Sequence, residues 1–444
     1  MKNPTVTFVT PSYNQGRFIR ATIESVLSQG YPDLEYIIMD GGSTDETAAV
    51  VRDYSSRLTF ISERDHGQSH AINKGFRMAR GSLVAWLNSD DVILPGAVAH
   101  AVRAFHQEPE SGAVYGEGYQ IDVDGNIKCR FSATEPFNLW KLIYLWDYVL
   151  QQTVYFRKDV IEEVGYLDET LNWGMDWDLL IRIGRRYPLG YIPEFMACLR
   201  EYPDAKTFSG GSRRFNELVK IMRRHGRRLF PPGYVVYGLD TYEQIWCDWI
   251  RRWFPDPLAE PVVRRFSCIL RRHIDRTVEQ AQGLYADGWA TTEMHYMLPA
   301  GSGDIQIEGE VPDLAAAGKT QTLTVVCNRK VVAVESLPPG CFQIVVPGQS
   351  LSPDIAAELT IRASCFIVPK QLGARYDDRR LAFRLDRLQR TQTRRTCGAA
   401  DLARTSRGKL PQPASRDPSE VRNESYCDLI GPPVPALETA GSHG

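Results

Sequence analysis

Short apolar runs alternate with amphipathic stretches through the first half of the chain. Thr5 to Thr10, Tyr36 to Met39, Leu58 to Ser62 and Leu83 to Leu87 are short, apolar and partly β-branched, and predict strands. Between the first two, Phe18 to Gln29 repeats Ile19, Ile23, Val26 and Leu27 at a helical period. Ser43 and Glu46 have capping-box spacing and predict a helix running to about Tyr54. Helices are also expected over 69–79 and 96–105. This β-α-β-α order predicts an α/β fold with a mostly parallel sheet and right-handed crossovers.

The pattern then changes twice. A strand at 112–115, a hairpin around Asp124-Gly125-Asn126, a strand at 153–156, a short helix at 159–164 and a helix opening at Met175 complete a sheet-bearing domain, residues 1–205. The aromatic stretch 136–149 reads as core, with an acceptor cleft as the alternative. Residues 206–282 form a basic helical segment. Within 213–276, arginines interleave with Trp246, Trp249, Trp253 and Phe254. Such a surface can seat on anionic lipid headgroups, or it can be a solvated face whose aromatics pack on the neighbouring domain. Over 283–390, short alternating stretches separated by Gly and Pro turns predict an antiparallel β-sandwich. The tail, 391–444, is rich in Arg, Ser, Thr and Pro and reads as disordered.

Composition narrows the class without naming a function. The chain has 444 residues, 43% hydrophobic and 24% charged, enough for two or three domains. A net charge of -2 gives no reason to expect a nucleic-acid partner. The nine cysteines show no CxxC pair or matching His spacing, which argues against a disulfide scaffold or zinc site. The first residues lead directly into a strand, and no apolar run reaches the roughly 20 residues of a membrane span. A cytoplasmic protein is expected, with peripheral contact at the inner face of the membrane open.

The chemistry lies in the acids. There is no GxxxxGK[ST] loop, GxGxxG, HExxH or GxSxG. Instead, Asp40, Asp65, Asp90 and Asp91 follow three successive strands, and Asp176 opens a later helix. In a parallel sheet these strand ends share one edge, where ligands bind. Each Asp alone is also an ordinary helix cap or turn residue; several on one edge are less easily explained so. Ser89-Asp90-Asp91, ending the most apolar run, suits a divalent cation beside a phosphorylated ligand.

Several segments resemble the family 2 inverting glycosyltransferases of the GT-A fold. They are Val9 to Gln15 (VTPSYNQ), Ser25 to Gln29, Asp40 to Asp45 (DGGSTD), Asp65 to Gly75 (DHGQSHAINKG) and Trp86 to Asp91 (WLNSDD). The resemblance covers about residues 4–200 and looks closest to bacterial enzymes of surface-polysaccharide synthesis. It implies a GT-A nucleotide-diphospho-sugar transferase domain and transfer of a sugar from a nucleotide-diphosphate sugar to a glycan or lipid-linked acceptor. Pro11, Ser12 and Tyr13 would lie beside base and ribose. Asp40 would hydrogen-bond the base, read as uracil. Asp65 and Gln68 would belong to the same pocket, Asp90 would contact ribose or sugar, and Asp91 would ligate Mn²⁺ or Mg²⁺. Asp176 would be the catalytic base, its ionised form favoured by the helix dipole.

Two positions depart from the pattern. Members often have Asp-Asp-Gly-Ser where this chain has Asp40-Gly41-Gly42-Ser43, and the later Glu-Asp motif reads Met175-Asp176. The Gln-x-x-Arg-Trp of processive synthases is absent from the sequence, which favours transfer of a single sugar. His66, His70, Lys74 and Arg77 flank the site without a required role. The rival readings are a nucleotidyltransferase and a carbohydrate-binding protein with an inactive transferase domain. The first would want a Gly-rich basic loop after strand one, which 11–16 does not supply; the second would not need Asp91 and Asp176.

Overall fold

The computed structural model describes residues 4–391, apart from 132, 203–204, 207–209, 286, 313–319 and 369–378. The tail expected to be disordered lies, from residue 392 on, outside the described residues.

The first four predicted strands form as β1 (Val6–Ser12), β2 (Leu34–Asp40), β3 (Thr59–Ser62) and β4 (Leu83–Trp86). They pair in parallel in the order β3-β2-β1-β4. The crossovers are α1 (Gly16–Leu27), α2 (Thr47–Arg52) and α3 (Gln68–Met78). Side chains alternate across this block. Phe8, Tyr36, Ile38, Leu83 and Ala85 face one core with Ile19, Ile23 and Val26 of α1. Val9, Ile37, Met39, Val84 and Trp86 face the other with Ala71, Ile72 and Phe76 of α3. A period of 2 with both faces buried explains why these strands read as continuous apolar runs. Gly75 lets α3 close on the sheet, since a Cβ there would sit 2.4 Å from Val9 Cγ1.

The sheet continues as β8 (Tyr155–Arg157), β6 (Ala113–Ile121), β9 (Leu189–Arg200) and β5 (Val92–Ile93), with β7 (Ile127–Arg130) on β6 as the predicted hairpin. Helices α4 (Ala97–Gln107), α5 (Leu139–Tyr144), α6 (Lys158–Val164) and α7 (Met175–Gly184) cover its faces. The aromatic stretch is core: Trp140, Tyr144 and Tyr148 are buried.

Three expectations shift. The capping box at Ser43 does not form. Ser43 Oγ turns back to Asp40, and α2 starts at Thr47 with no side-chain cap. Strand β9, twelve residues long, was not predicted, because Pro193 and Glu194 interrupt its alternation. It is held by parallel pairing to β6, whose register slips twice near Glu117. The two-residue β5, antiparallel to β9, is too short to leave a periodic trace.

Past β9 come α8 (Gly211–Gly226), α9 (Pro232–Trp253) and α10 (Asp256–Gln282), as the basic helical pattern predicts. The last part is two antiparallel four-stranded sheets. One holds β10 (Trp289–Ala290), β17 (Phe383–Arg390), β12 (Ile305–Val311) and β15 (Gly340–Val346); the other holds β11 (Glu293–Leu298), β16 (Ala357–Ala363), β13 (Gln321–Cys327) and β14 (Lys330–Leu337). They share one apolar core, including Ile307, Ile344, Val325 and Ile361. The sandwich touches the α/β part directly. His295 stacks on Trp140 at 5.6 Å, and Arg228 reaches Glu358 at 3.2 Å.

Helices α7 and α8 are joined by a buried ionic cluster. Asp178, 1% exposed, accepts from Arg182 Nε at 2.8 Å and Arg224 Nη1 at 3.2 Å, and meets His225 Nε2 at 2.8 Å. Burial pushes its carboxyl up, but the bonds and charges of His225 and Arg182 outweigh this and hold it below the ordinary range. Asp178→Ala strands these cations and should cost about 3–5 kcal/mol, read from urea unfolding near neutral pH. Because the native pKa is depressed, the wild-type advantage is present above the unfolded value and is lost as pH falls through the native one. A gap that stays constant down to about pH 3 would remove the ionic explanation.

Candidate functional site

The carboxyl ends of β1 and β4 open onto a cleft of about 560 Å³, within the range of small-molecule sites. On one wall lie Pro11, Ser12 and Tyr13, Asp65 and Gln68, and the turn Asn88 to Asp91. Asp147, Trp173, Asp176, Lys206 and Arg214 also line the cleft, and Lys206 Nζ donates to Gln68 Oε1 at 2.8 Å. Every expected site residue except Asp40 lines this space.

Asp40 ends β2 and is 2% exposed. Its Oδ2 accepts from the N–H groups of Gly42 and Ser43 and from Ser62 Oγ, and its Oδ1 from Ser43 Oγ. That carboxylate shapes its own loop. Asp65 sits in front of it. A Cβ on Gly41 would lie 2.9 Å from Asp65 Oδ2 and 3.4 Å from the Tyr13 ring. A second Asp at position 41 would therefore collide with Asp65, which fills that space from another loop. Tyr13 is 62% exposed, while the Ser12 hydroxyl beside it is buried with no partner among the described residues.

The two adjacent acids after β4 have different surroundings. Asp91 is 1% exposed, and its carboxylate is fully engaged. Oδ1 accepts from Arg200 N at 2.8 Å; Oδ2 accepts from Gln152 Nε2 at 2.7 Å and Asn88 Nδ2 at 3.2 Å. Burial, then the charge of Asp90, pushes its pKa up to about 8 against these donors. Asp90 faces the cleft. Its Oδ2 accepts from Tyr202 Oη at 2.8 Å, and no other side chain among the described residues donates to the carboxylate. Arg200 pins the turn, giving Nε to Asp90 O at 2.8 Å. Thr22 of α1 holds it from below, 2.7 Å from Asp91 O.

Asp176 lies in the first turn of α7, with Oδ1 accepting from Trp177 N at 2.9 Å. The helix dipole does not decide its charge. Burial raises its carboxyl, and the Trp177 N–H, Lys206 and Arg214 only partly oppose that. Asp147, from the aromatic stretch, faces it and is itself raised by burial and by the charge of Asp176. Its N–H donates to Tyr237 Oη at 2.9 Å, and Oδ1 accepts from Val149 N at 3.1 Å.

The residues that flank the site in sequence turn elsewhere. His66 and His70 pack on each other at 5.0 Å and do not line the cleft. Lys74 pairs with Glu63, and Arg77 lies over the Tyr166 ring at 4.5 Å. Among the described residues, no group of three or more His, Cys, Asp or Glu is placed to hold a metal. Sequence reasoning missed Gln152, Arg200, Tyr202, Asp147 and Lys206. Arg200, a charge closing the apolar run Met196 to Leu199, was the one detectable signal.

Residues 7–158 match the family described as glycosyl transferase family 2. Those residues form a domain similar to the family 2 glycosyltransferases. An uncharacterized glycosyltransferase of Rickettsia prowazekii is 25% identical over 191 residues, 41% of this chain and 59% of that one. The chondroitin synthase of Escherichia coli is 35% identical over 127 residues, 28% of this chain and 18% of that one. The chain thus spans less than two thirds of either relative. A solved mannosyltransferase from Pyrobaculum calidifontis, in complex with GDP-Man and Mn²⁺, aligns over 63% of this chain and 86% of its own, with 18% identity and a TM-score of 0.42.

The transferase domain separates two tasks between its paired acids, and this can be measured. Asp91→Ala leaves three buried donors unpaired and should cost on the order of 3 kcal/mol. Asp90→Ala removes one half-exposed contact and should cost under about 1 kcal/mol. Thermal unfolding of both variants checks the division; equal losses would contradict it.

Proposed function

We propose that the protein transfers a single sugar, with inversion, from a nucleotide-diphosphate sugar to a hydroxyl of a glycan or lipid-linked acceptor. The observation that carries this reading is one cleft lined both by Asp90, at the sheet edge, and by Asp176. The donor's base and ribose would lie over Pro11, Ser12 and Tyr13, with Asp65 and Gln68 at their side and Asp40 acting through its loop. A uridine diphosphate sugar is the proposed donor. In the reaction, Asp176 takes the proton of the acceptor hydroxyl. The acceptor oxygen bonds to the anomeric carbon, and the carbon–oxygen bond to the diphosphate breaks, its electron pair leaving with the nucleoside diphosphate.

The residues present fit a divalent cation, with one change of assignment. Asp91, expected as the ligand, already has protein donors on both oxygens. Asp90 is the carboxylate that faces the cleft, and with the donor's phosphate oxygens it would hold Mn²⁺ or Mg²⁺. When bound, the cation neutralises charge building on the leaving diphosphate. Tyr202 keeps Asp90 oriented toward the cleft.

A base must be ionised to act, and the raised carboxyl of Asp176 sets where that happens. The acid limb of kcat should lie above the ordinary Asp value of about 4. Asp176→Asn should lower kcat by about 10²–10⁴-fold with donor binding retained. Asp90→Ala should abolish metal-dependent binding of UDP, measured by calorimetry with and without Mn²⁺. Wild-type turnover in Asp176→Asn would overturn the mechanism, and UDP binding indifferent to Mn²⁺ would overturn the Asp90 assignment.

We also propose peripheral contact with an anionic lipid surface through 213–276. Among the described residues, no helix is long and apolar enough to cross a membrane. One face of α8 exposes Arg213, Lys220, Arg223 and Arg227. Arg223 lies over Phe230, which meets Tyr234 at the start of an exposed α9 stripe of Tyr242, Ile245, Trp249 and Trp253. Basic and aromatic side chains side by side suit a headgroup interface. The protein should sediment with phosphatidylglycerol vesicles and not with phosphatidylcholine, and Trp249→Ser with Trp253→Ser should release it. Failure to bind either vesicle rejects the contact.

A further inference from the structure

Helix α7 carries Asp176 in its first turn yet supplies no cap for itself. Gly174 precedes it and has no side chain to offer. Met175, at the position where the resemblance expects Glu, turns its sulfur to Ser69 Oγ at 2.7 Å. Three consecutive N–H groups lead into this helix, and all three end on a carboxylate from another helix. Glu217 of α8 accepts from Trp173 N at 2.6 Å and Gly174 N at 2.9 Å through Oε1, and from Asn172 N at 3.0 Å through both oxygens.

The grip is close and reinforced. A Cβ on Gly174 would lie 2.5 Å from Ile221 Cδ1 of α8, so the helix rests directly on this loop. Trp173 is tied a second time, donating Nε1 to Lys206 O at 3.1 Å. The side chain of Lys206 feels the charges of both Asp176 and Glu217. Charge-assisted bonds to backbone N–H are among the stronger ones a carboxylate makes. None of the other contacts of the 172–174 loop engages all three of its N–H groups.

We propose that Glu217 is a positioning residue for Asp176, holding the start of α7 so that the base points into the cleft. This rests on Asp176 being the base. It makes α8 a working part of the transferase site, alongside Arg214 of the same helix, which also lines the cleft.

The experiment uses the full chain with steady-state transfer assays and circular dichroism. Glu217→Ala frees the loop, and kcat should fall about 10²-fold with the donor KM changed little, the size expected of a misplaced reacting group. Glu217→Gln keeps the accepting Oε1 and should restore most of that loss. It also removes a negative charge. The groups facing Asp176 are Asp147 from the loop after α5, Lys206 after β9, Arg214 of α8 and the Trp177 N–H. With Glu217 neutral, one of the two negative charges felt by Lys206 is gone, so the acid limb of kcat should move to lower pH.

A folded Glu217→Ala enzyme with wild-type kcat overturns the proposal. Should that variant not fold, Glu217→Gln decides: a limb shifted downward supports the proposal, and an unmoved limb overturns it. Asp176→Asn separates the two readings. If it keeps full turnover, the base assignment has failed; if it is inactive while Glu217→Ala is not, only the positioning has failed.

Discussion

A carboxylate buried where the turn after β4 meets the end of β9 is the constraint on which the site depends. Asp91 is out of water, and a buried acid is tolerated only when its oxygens are satisfied. Its donors come from far apart in the chain: Asn88 nearby, Gln152 from the turn before β8, and the backbone of Arg200 at the end of β9. Meeting that requirement draws three segments together. It also sets the direction of Asp90, the preceding residue, which lines the cleft with Tyr202 on one oxygen. The adjacent acids share a position in sequence but divide support from presentation.

The same logic recurs at Asp40 and Glu217. Asp40 spends its oxygens on its own loop, which leaves Asp65 to occupy the space in front. Glu217 spends its oxygens on the loop before α7, the helix whose first turn carries Asp176. In each case an acid engaged by several N–H or O–H donors orders a loop next to another acid with fewer. Asp65, Asp90 and Asp176, each with fewer protein donors than Asp91, line the cleft beside it. Burial raises the carboxyls of Asp90 and Asp176, so protonation competes with their use.

The pattern of strands in the first half was legible because both sheet faces are buried. A strand covered on both sides must be apolar throughout, and such runs stand out even when short. Successive strand ends in a parallel sheet share an edge, so the convergence of Asp40, Asp65, Asp90 and Asp91 followed from order alone. The sandwich was legible for the opposite reason: one face is wet, and alternation survives in strands such as β12 and β13. Strand β9 was not legible. Its pairing with β6 slips in register, and a slipped strand with an internal proline has no clean period. The capping box at Ser43 failed because Asp40 competes for the same hydroxyl.

By itself, the sequence determined the strand and helix periods, the two buried faces of the sheet and the placement of acids at strand ends. These follow from local geometry, since period and burial act within a few residues. Only the tertiary structure decided which acids are engaged by protein donors and which are left more open. That choice depends on donors such as Gln152, Arg200 and Glu217, which lie 61, 109 and 43–45 residues from their acceptors or donors. A carboxylate's role is set by who fills its oxygens, and in this fold the partners arrive from across the chain.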